Sequence, residues 1–249
     1  DLSQRNPDAK KLTKGEAESV TLRAVLGGWD DWQPDNPSPT WYLCGDSTMT
    51  DQPEWPYHGW GQLLKNFAPA GVQIENIAKS GRSSKSFVQE RLLNAIECCL
   101  KPGDKLLIQF SHNDEKPDRE RRTEPWTTYP EYLSLYIDAA QRRGAEPVLI
   151  TPLARRLYEP DGTLRHSHDP YPDSMRVLAR ERGVRLVEME RATEALITEL
   201  GEEDSKKIYL HFAPGECSME EGLADNTHLS LEGASVYAQL FMKLSGGLS

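Results

Sequence analysis

Four polar clusters along the chain each hold a residue type that acyl transfer needs: Gly45-Asp46-Ser47, Gly81-Arg82-Ser83-Ser84, His112-Asn113-Asp114 and Asp225-Asn226-Thr227-His228. Attack of a serine hydroxyl on a carbonyl requires a base for its proton, an acid that orients the base, and donors for the developing oxyanion. Ser47 is the candidate nucleophile and His228 the candidate base. Asp225, three residues before His228, can accept the other ring proton and fix the tautomer. The Ser47 and Gly81 backbone N–H groups and the Asn113 side-chain amide are candidate oxyanion donors, each typically worth roughly 3 to 4 kcal/mol of barrier. Taken singly, every cluster also reads as an ordinary turn, because Gly accepts positive φ and Asp and Ser bond their own backbone. Their meaning depends on whether the fold brings them together.

The elements that would do so are visible as short apolar runs: Trp41–Cys44, Val72–Ile77, Lys105–Phe110, Pro147–Thr151 and Val184–Glu188. Near-continuous apolar runs suit strands covered on both faces. Between them lie helical patterns at Gly59–Phe67, Ser86–Leu100, Pro130–Arg143, Asp173–Arg182, Arg191–Leu200 and Leu231–Leu244. In the third of these, Tyr132, Leu133, Tyr136, Ile137 and Ala140 repeat at helical spacing, Pro130 stands at the start and Gly144 follows the end. Strands alternating with helices predict an α/β protein, a three-layer α/β/α sandwich around a five-stranded, mainly parallel sheet. Ligands in such folds bind outside the carboxyl ends of the strands, where three of the four clusters follow strands and the fourth precedes the last helix. Residues 1–38 read as an N-terminal extension, with one short candidate strand at Val20–Leu26 and helix-forbidding Pro34, Pro37 and Pro39, and residues 39–249 as one domain.

Bulk properties narrow the partners. A chain of 249 residues can bury a substantial single core, and a mean hydropathy of -0.64 marks a polar globular protein. The net charge of -10 argues against nucleic acid as a partner, and no apolar run approaches the ~20 residues that span a bilayer. Cys44, Cys98, Cys99 and Cys217 match neither a metal site nor a disulfide framework and are expected to be buried free thiols. His166, His168 and Asp169 alternate as metal ligands sometimes do, without a fourth ligand in view. No signal peptide is apparent, so a cytoplasmic address is expected, with a secreted mature form left open because the chain does not begin with Met. Oligomeric state is not indicated.

The ordered set resembles the GDSL, or SGNH, hydrolases, whose namesake Ser, Gly, Asn and His correspond to Ser47, Gly81, Asn113 and His228, with Asp225 as the triad acid. The resemblance covers about Trp41 to Leu244. The finer match is to the rhamnogalacturonan acetylesterase group: Gly45-Asp-Ser-Thr48, Gly59-Trp-Gly-Gln62, Gly81-Arg-Ser-Ser-Lys-Ser-Phe87, His112-Asn-Asp114 and Pro214-Gly-Glu216 all look like that group, while Ser111 departs from a common Gly. It implies a flavodoxin-like fold and deacetylation of a pectic polysaccharide or its fragments by the triad, without metal or organic cofactor.

An anionic sugar substrate calls for local positive charge despite the acidic whole. Lys116, Arg119, Arg121 and Arg122 follow the third predicted strand, and Arg155, Arg156 and Arg165 the fourth. Arg pairs carboxylates bidentately, so Arg82, Arg122 and Arg155 are candidate substrate contacts, and Trp55 and Trp126 candidate stacking platforms. The plainer reading balances these cations against Asp118, Glu120, Glu124 and Asp161. Two other functions stay open: the same triad acting on a lipid or thioester acyl chain, and a catalytically silent carbohydrate-binding protein.

Overall fold

The computed structural model describes residues 38–217 and 219–248. Residues 1–37 of the N-terminal extension, with its candidate strand, Pro34 and Pro37, lie outside the described residues.

The five apolar runs form one wholly parallel sheet from β1 (Thr40–Gly45), β2 (Gln73–Asn76), β3 (Lys105–Gln109), β4 (Glu146–Ile150) and β5 (Arg185–Val187), in the order β2-β1-β3-β4-β5. The alternation of side chains across each strand sorts the core into two halves. Trp41, Leu43, Leu107, Val148 and Ile150 belong to one buried cluster, with Trp60, Ile197, Tyr237 and Phe241. Cys44, Leu106, Ile108 and Leu149 belong to the other, with Phe87, Leu133, Tyr136 and Met175. One face of the sheet is therefore covered by α1 (Trp60–Leu64), α6 (Met189–Asp204) and α7 (Leu231–Leu244). The opposite face is covered by α2 (Ser84–Gln89), α3 (Leu92–Cys99), α4 (Thr128–Arg142) and α5 (Tyr171–Arg182). This is the doubly wound sandwich that the sequence predicts.

Three boundaries differ from expectation for local reasons. The predicted helix Ser86–Leu100 is two, because Arg91 adopts φ +62° between α2 and α3. Pro130 is the third residue of α4, a position whose N–H has no intrahelical partner in any case. The largest difference follows α6: a two-stranded antiparallel ribbon, β6 (Tyr209–Phe212) and β7 (Leu223–Leu229), stands apart from the main sheet. Asp225 and His228 thus lie on a strand, whereas the sequence reading places them in a loop. The cysteines also depart from expectation. Cys44 is buried, but Cys98 and Cys99 are exposed at the end of α3 and Cys217 is half-buried, all four being free.

The strand order places the reversal of chain winding between β1 and β3, and a crevice opens at their carboxyl ends. Ser47 follows β1 and Asn113 follows β3, so both candidates stand at that crevice.

Candidate active site

The turn that carries Ser47 is built by Asp46 and by the close approach of α1. Asp46 is fully buried, and its Oδ1 accepts from the Thr48 N–H and hydroxyl, both at 2.9 Å. Its carbonyl accepts from Met49 N at 3.2 Å and Thr50 N at 3.0 Å, closing one helical turn directly after the strand. Burial raises the Asp46 carboxyl above its ordinary range, partly offset by those Thr48 hydrogen bonds. Trp60, fully buried at the start of α1, donates its backbone N–H to the Thr48 carbonyl and its indole N–H to Gln109 Oε1, both at 2.9 Å. A side chain at Gly61 would meet the Met49 carbonyl. The Gly-Trp-Gly motif therefore serves contact between helix and turn. Gln52, which the sequence reading overlooked, donates from Nε2 to the Ser47 carbonyl at 2.6 Å.

From the opposite side the ribbon delivers the candidate base. His228 Nε2 lies 2.9 Å from Ser47 Oγ, and His228 Nδ1 lies 2.7 Å from Asp225 Oδ2. Asp225 Oδ1 accepts from the backbone N–H groups of Thr227 at 2.7 Å and His228 at 2.9 Å. Partial burial would raise the Asp225 carboxyl, but the hydrogen bonds from the His228 ring and backbone outweigh it and hold the group at about 2. With that carboxylate on Nδ1, the ring offers Nε2 to the serine as a proton acceptor. The Tyr57 ring packs edge-on against the imidazole, centroids 5.5 Å apart, which limits its rotation. Tyr57 too was missed, since a lone Tyr in a Pro-rich loop carries no periodic signal.

The third wall is made by the loops after β2 and β3. Gly81 has φ +79°, a left-handed conformation that glycine adopts without steric cost. Its backbone N–H and that of Ser47 have no partner among the described residues. Asn113 donates one Nδ2 hydrogen to the Arg82 carbonyl at 3.1 Å, and its Oδ1 accepts from Arg121 at 3.2 Å. Arg121 is itself gripped by Asp118, with its NH2 at 2.6 Å from Oδ2. This chain fixes which end of the amide is the donor and leaves the second Nδ2 hydrogen unpaired. Asp114 ties the two loops together: it accepts from the Ser84 N–H and hydroxyl and from the Thr123 hydroxyl. Burial nevertheless pushes its carboxyl up to about 7. The Asn113→Ala variant is expected to lose about 10²- to 10³-fold in kcat with little change in KM, measured by initial rates of ester hydrolysis.

Together these walls enclose a cleft of about 490 Å³ lined by Ser47, Gly81, Asn113, Asp225 and His228, and by Gln52, Glu54, Tyr57, His112 and Lys116. All five candidates for nucleophile, base, acid and oxyanion donor meet there. The substrate contacts named from sequence divide. Arg155 lines the cleft, but its NH1 is paired with Glu115 at 2.9 Å. Arg82 turns away to Glu90, and Arg122, paired with Glu124, lines a neighbouring depression. Trp55 and Trp126 are each 56% exposed and do not line the cleft, Trp55 resting against Phe212. Arg156 is 5% exposed and clamps the ribbon, bonding the Asn226 carbonyl at 2.8 Å through its N–H and Asn226 Oδ1 at 2.9 Å through NH1. Arg165 is spent on Glu159. The plainer reading of the basic loops thus holds for most of them. Lys116 is the exception in the cleft, with an ammonium that has no partner among the described residues.

The alternating histidines part company. His166 bonds Glu194 at the surface, whereas His168, 1% exposed, bridges Glu115 and the Leu153 carbonyl. His112, 4% exposed and packed edge-on against His168, has neither ring nitrogen hydrogen-bonded. Burial first, then His168 and Arg155 nearby, drive its imidazole well below the ordinary range, so the ring is neutral.

No family model matches the chain. The rhamnogalacturonan acetylesterase RhgT of Bacillus subtilis (strain 168) is 41% identical to it over 202 residues, covering 80% of this chain and 86% of that protein. Among solved structures, the YxiM protein of Bacillus subtilis matches with a TM-score of 0.72 at 26% identity, over 84% of this chain and 56% of that one. A protein of Slackia heliotrinireducens matches with a TM-score of 0.56 at 18% identity, over 84% of this chain and 100% of that one, a likeness of fold alone.

Proposed function

Because the chain belongs to the rhamnogalacturonan acetylesterase family, we propose that it is a serine esterase that removes acetyl groups from a pectic polysaccharide or its oligosaccharides. The observation that carries this reading is the continuous hydrogen-bonded line from Ser47 Oγ through His228 to Asp225, at 2.9 and 2.7 Å.

In the first half-reaction Ser47 Oγ attacks the acetyl carbonyl carbon while its proton passes to His228 Nε2. The carbonyl oxygen becomes an oxyanion held by the Ser47 and Gly81 N–H groups and the unpaired Asn113 amide hydrogen. Asp225 stabilises the imidazolium through Nδ1 and stays ionised throughout. The C–O bond to the sugar then breaks, His228 returns its proton to the leaving sugar oxygen, and an acetyl group remains on Ser47. A water deprotonated by His228 attacks that acetyl group. Collapse of the second oxyanion breaks the bond to Ser47 Oγ, which regains its proton from His228 as acetate departs.

The polar lining at Gln52, Glu54, Ser80 and Lys116 favours a hydroxylated substrate over a long acyl chain. The test is acetate release from acetylated rhamnogalacturonan, homogalacturonan and xylan fragments, beside hydrolysis of 4-nitrophenyl acetate and octanoate. The highest kcat/KM is expected on the rhamnogalacturonan fragments. Preference for octanoate, or binding of the fragments without turnover, would overturn the reading.

A further inference from the structure

Beside the cleft lies a second depression of about 410 Å³, lined among others by Lys85, Pro117, Arg119, Arg122 and Tyr132. We propose that it is a second binding site, for a uronate carboxylate further along an oligosaccharide whose acetyl group sits at Ser47; the proposal rests on the pectic reading above. The two hollows are neighbours by covalent necessity. Lys116 lines the catalytic cleft and Pro117, the next residue, lines the depression, with successive Cα atoms only ~3.8 Å apart. A sugar chain leaving the cleft over Lys116 meets this surface next.

Its charge contrasts with that of the chain as a whole. The chain carries a net charge of -10, and most cations of the loops near the cleft are consumed by acidic partners. In the depression, Lys85, Arg119 and Arg122 face a single carboxylate, Glu124. Arg122 is paired with Glu124 at 2.9 Å, and the Lys85 ammonium donates to the Arg119 carbonyl at 2.6 Å, which holds the loop in place. The Arg119 guanidinium has no partner among the described residues and is exposed. A free planar fork beside a second Arg suits a carboxylate. Tyr132, half-buried, also lines the depression and supplies an aromatic ring of the kind that packs against sugars. Together with Lys116, the surface presents positive charge at two successive places, the pattern that a polymer with recurring uronic acids would meet.

The experiment compares kcat and KM of the wild type, Arg119→Gln and Arg119→Gln/Arg122→Gln on acetylated pectic fragments of increasing length, with 4-nitrophenyl acetate as the control for folding and chemistry. Wild-type KM is expected to fall as fragments outgrow the cleft. The double variant should raise KM on the long fragments by about tenfold at low salt with kcat unchanged, leave the shortest fragments and 4-nitrophenyl acetate unaffected, and lose its defect in high salt. Methyl esterification of the long fragments should abolish the wild-type advantage. A KM independent of length, an equal defect on short fragments, or an advantage that survives esterification would overturn the subsite while leaving the acetylesterase reading intact. Absence of acetate release from every pectic fragment, with 4-nitrophenyl acetate still cleaved, would instead remove the substrate reading and the subsite with it.

Discussion

Replacing Ser47 with alanine is expected to reduce kcat on acetylated pectic fragments by about 10⁴- to 10⁶-fold, with the melting temperature essentially unchanged. The size of the loss follows from what Ser47 Oγ does. Its one hydrogen bond is to His228 Nε2, and the side chain is half-buried at the cleft, so its removal leaves no cavity in either half of the core. What remains is the oxyanion cradle, which polarises the ester carbonyl but cannot supply a nucleophile. Residual turnover should come from water. The check is acetate release by the purified variant, together with intact-mass analysis after a fluorophosphonate probe: the wild type gains the phosphonyl adduct and the variant does not. Turnover at the wild-type rate would remove Ser47 from the mechanism.

Asp225→Asn should cost about 10⁴-fold in kcat although it is nearly isosteric. The Asp225 carboxylate accepts the Nδ1 proton of His228 and two backbone N–H bonds. An asparagine that keeps the backbone bonds through its carbonyl turns its NH₂ toward Nδ1. That ring nitrogen must then accept, the proton moves to Nε2, and the base has nothing with which to take the serine proton. Stability supplies a second readout with a definite sign. A carboxyl held at about 2 contributes stability above the ordinary range of an unfolded aspartate, and that contribution is lost as pH falls through about 2. The variant lacks the contribution at neutral pH. The melting-temperature difference between wild type and variant should therefore be largest near pH 7 and shrink as pH falls from about 4 toward 2. A difference that grows on acidification would contradict the assignment of Asp225 as the ionised partner.

The sheet was legible because its central strands are covered on both faces and so carry runs such as Lys105-Leu-Leu-Ile-Gln-Phe110. The candidate nucleophile, base, acid and oxyanion donors were legible through their chemically distinctive neighbours and their order along the chain, although Asp225 and His228 lie within β7. The ribbon was not. Leu223-Ala-Asp-Asn-Thr-His-Leu229 is too polar to read as a strand, since its register is set by pairing with Tyr209–Phe212 and its side chains by the chemistry they perform. The arginines were misjudged for a related reason. Arg155 finds Glu115 forty residues away and Arg156 finds Asn226 seventy away, and neither separation leaves a local pattern. The basic character of the loops was visible in the sequence; which charges survive pairing was decided by folding.

The ribbon gives the enzyme a seam. The candidate nucleophile and oxyanion donors are anchored in the main sandwich, whereas the candidate acid and base both ride on β7 of the ribbon, held by the Arg156 clamp, the contact of His58 N–H with the Leu229 carbonyl and the tyrosine pair Tyr209 and Tyr237. The reactive line from Ser47 to His228 crosses between these supports. The alignment of that line therefore depends on how the ribbon docks, through those hydrogen bonds and through Tyr209 and Leu229, which belong to the buried cluster on one face of the sheet. A change in that apolar layer is thus felt at the reactive line as well as in stability.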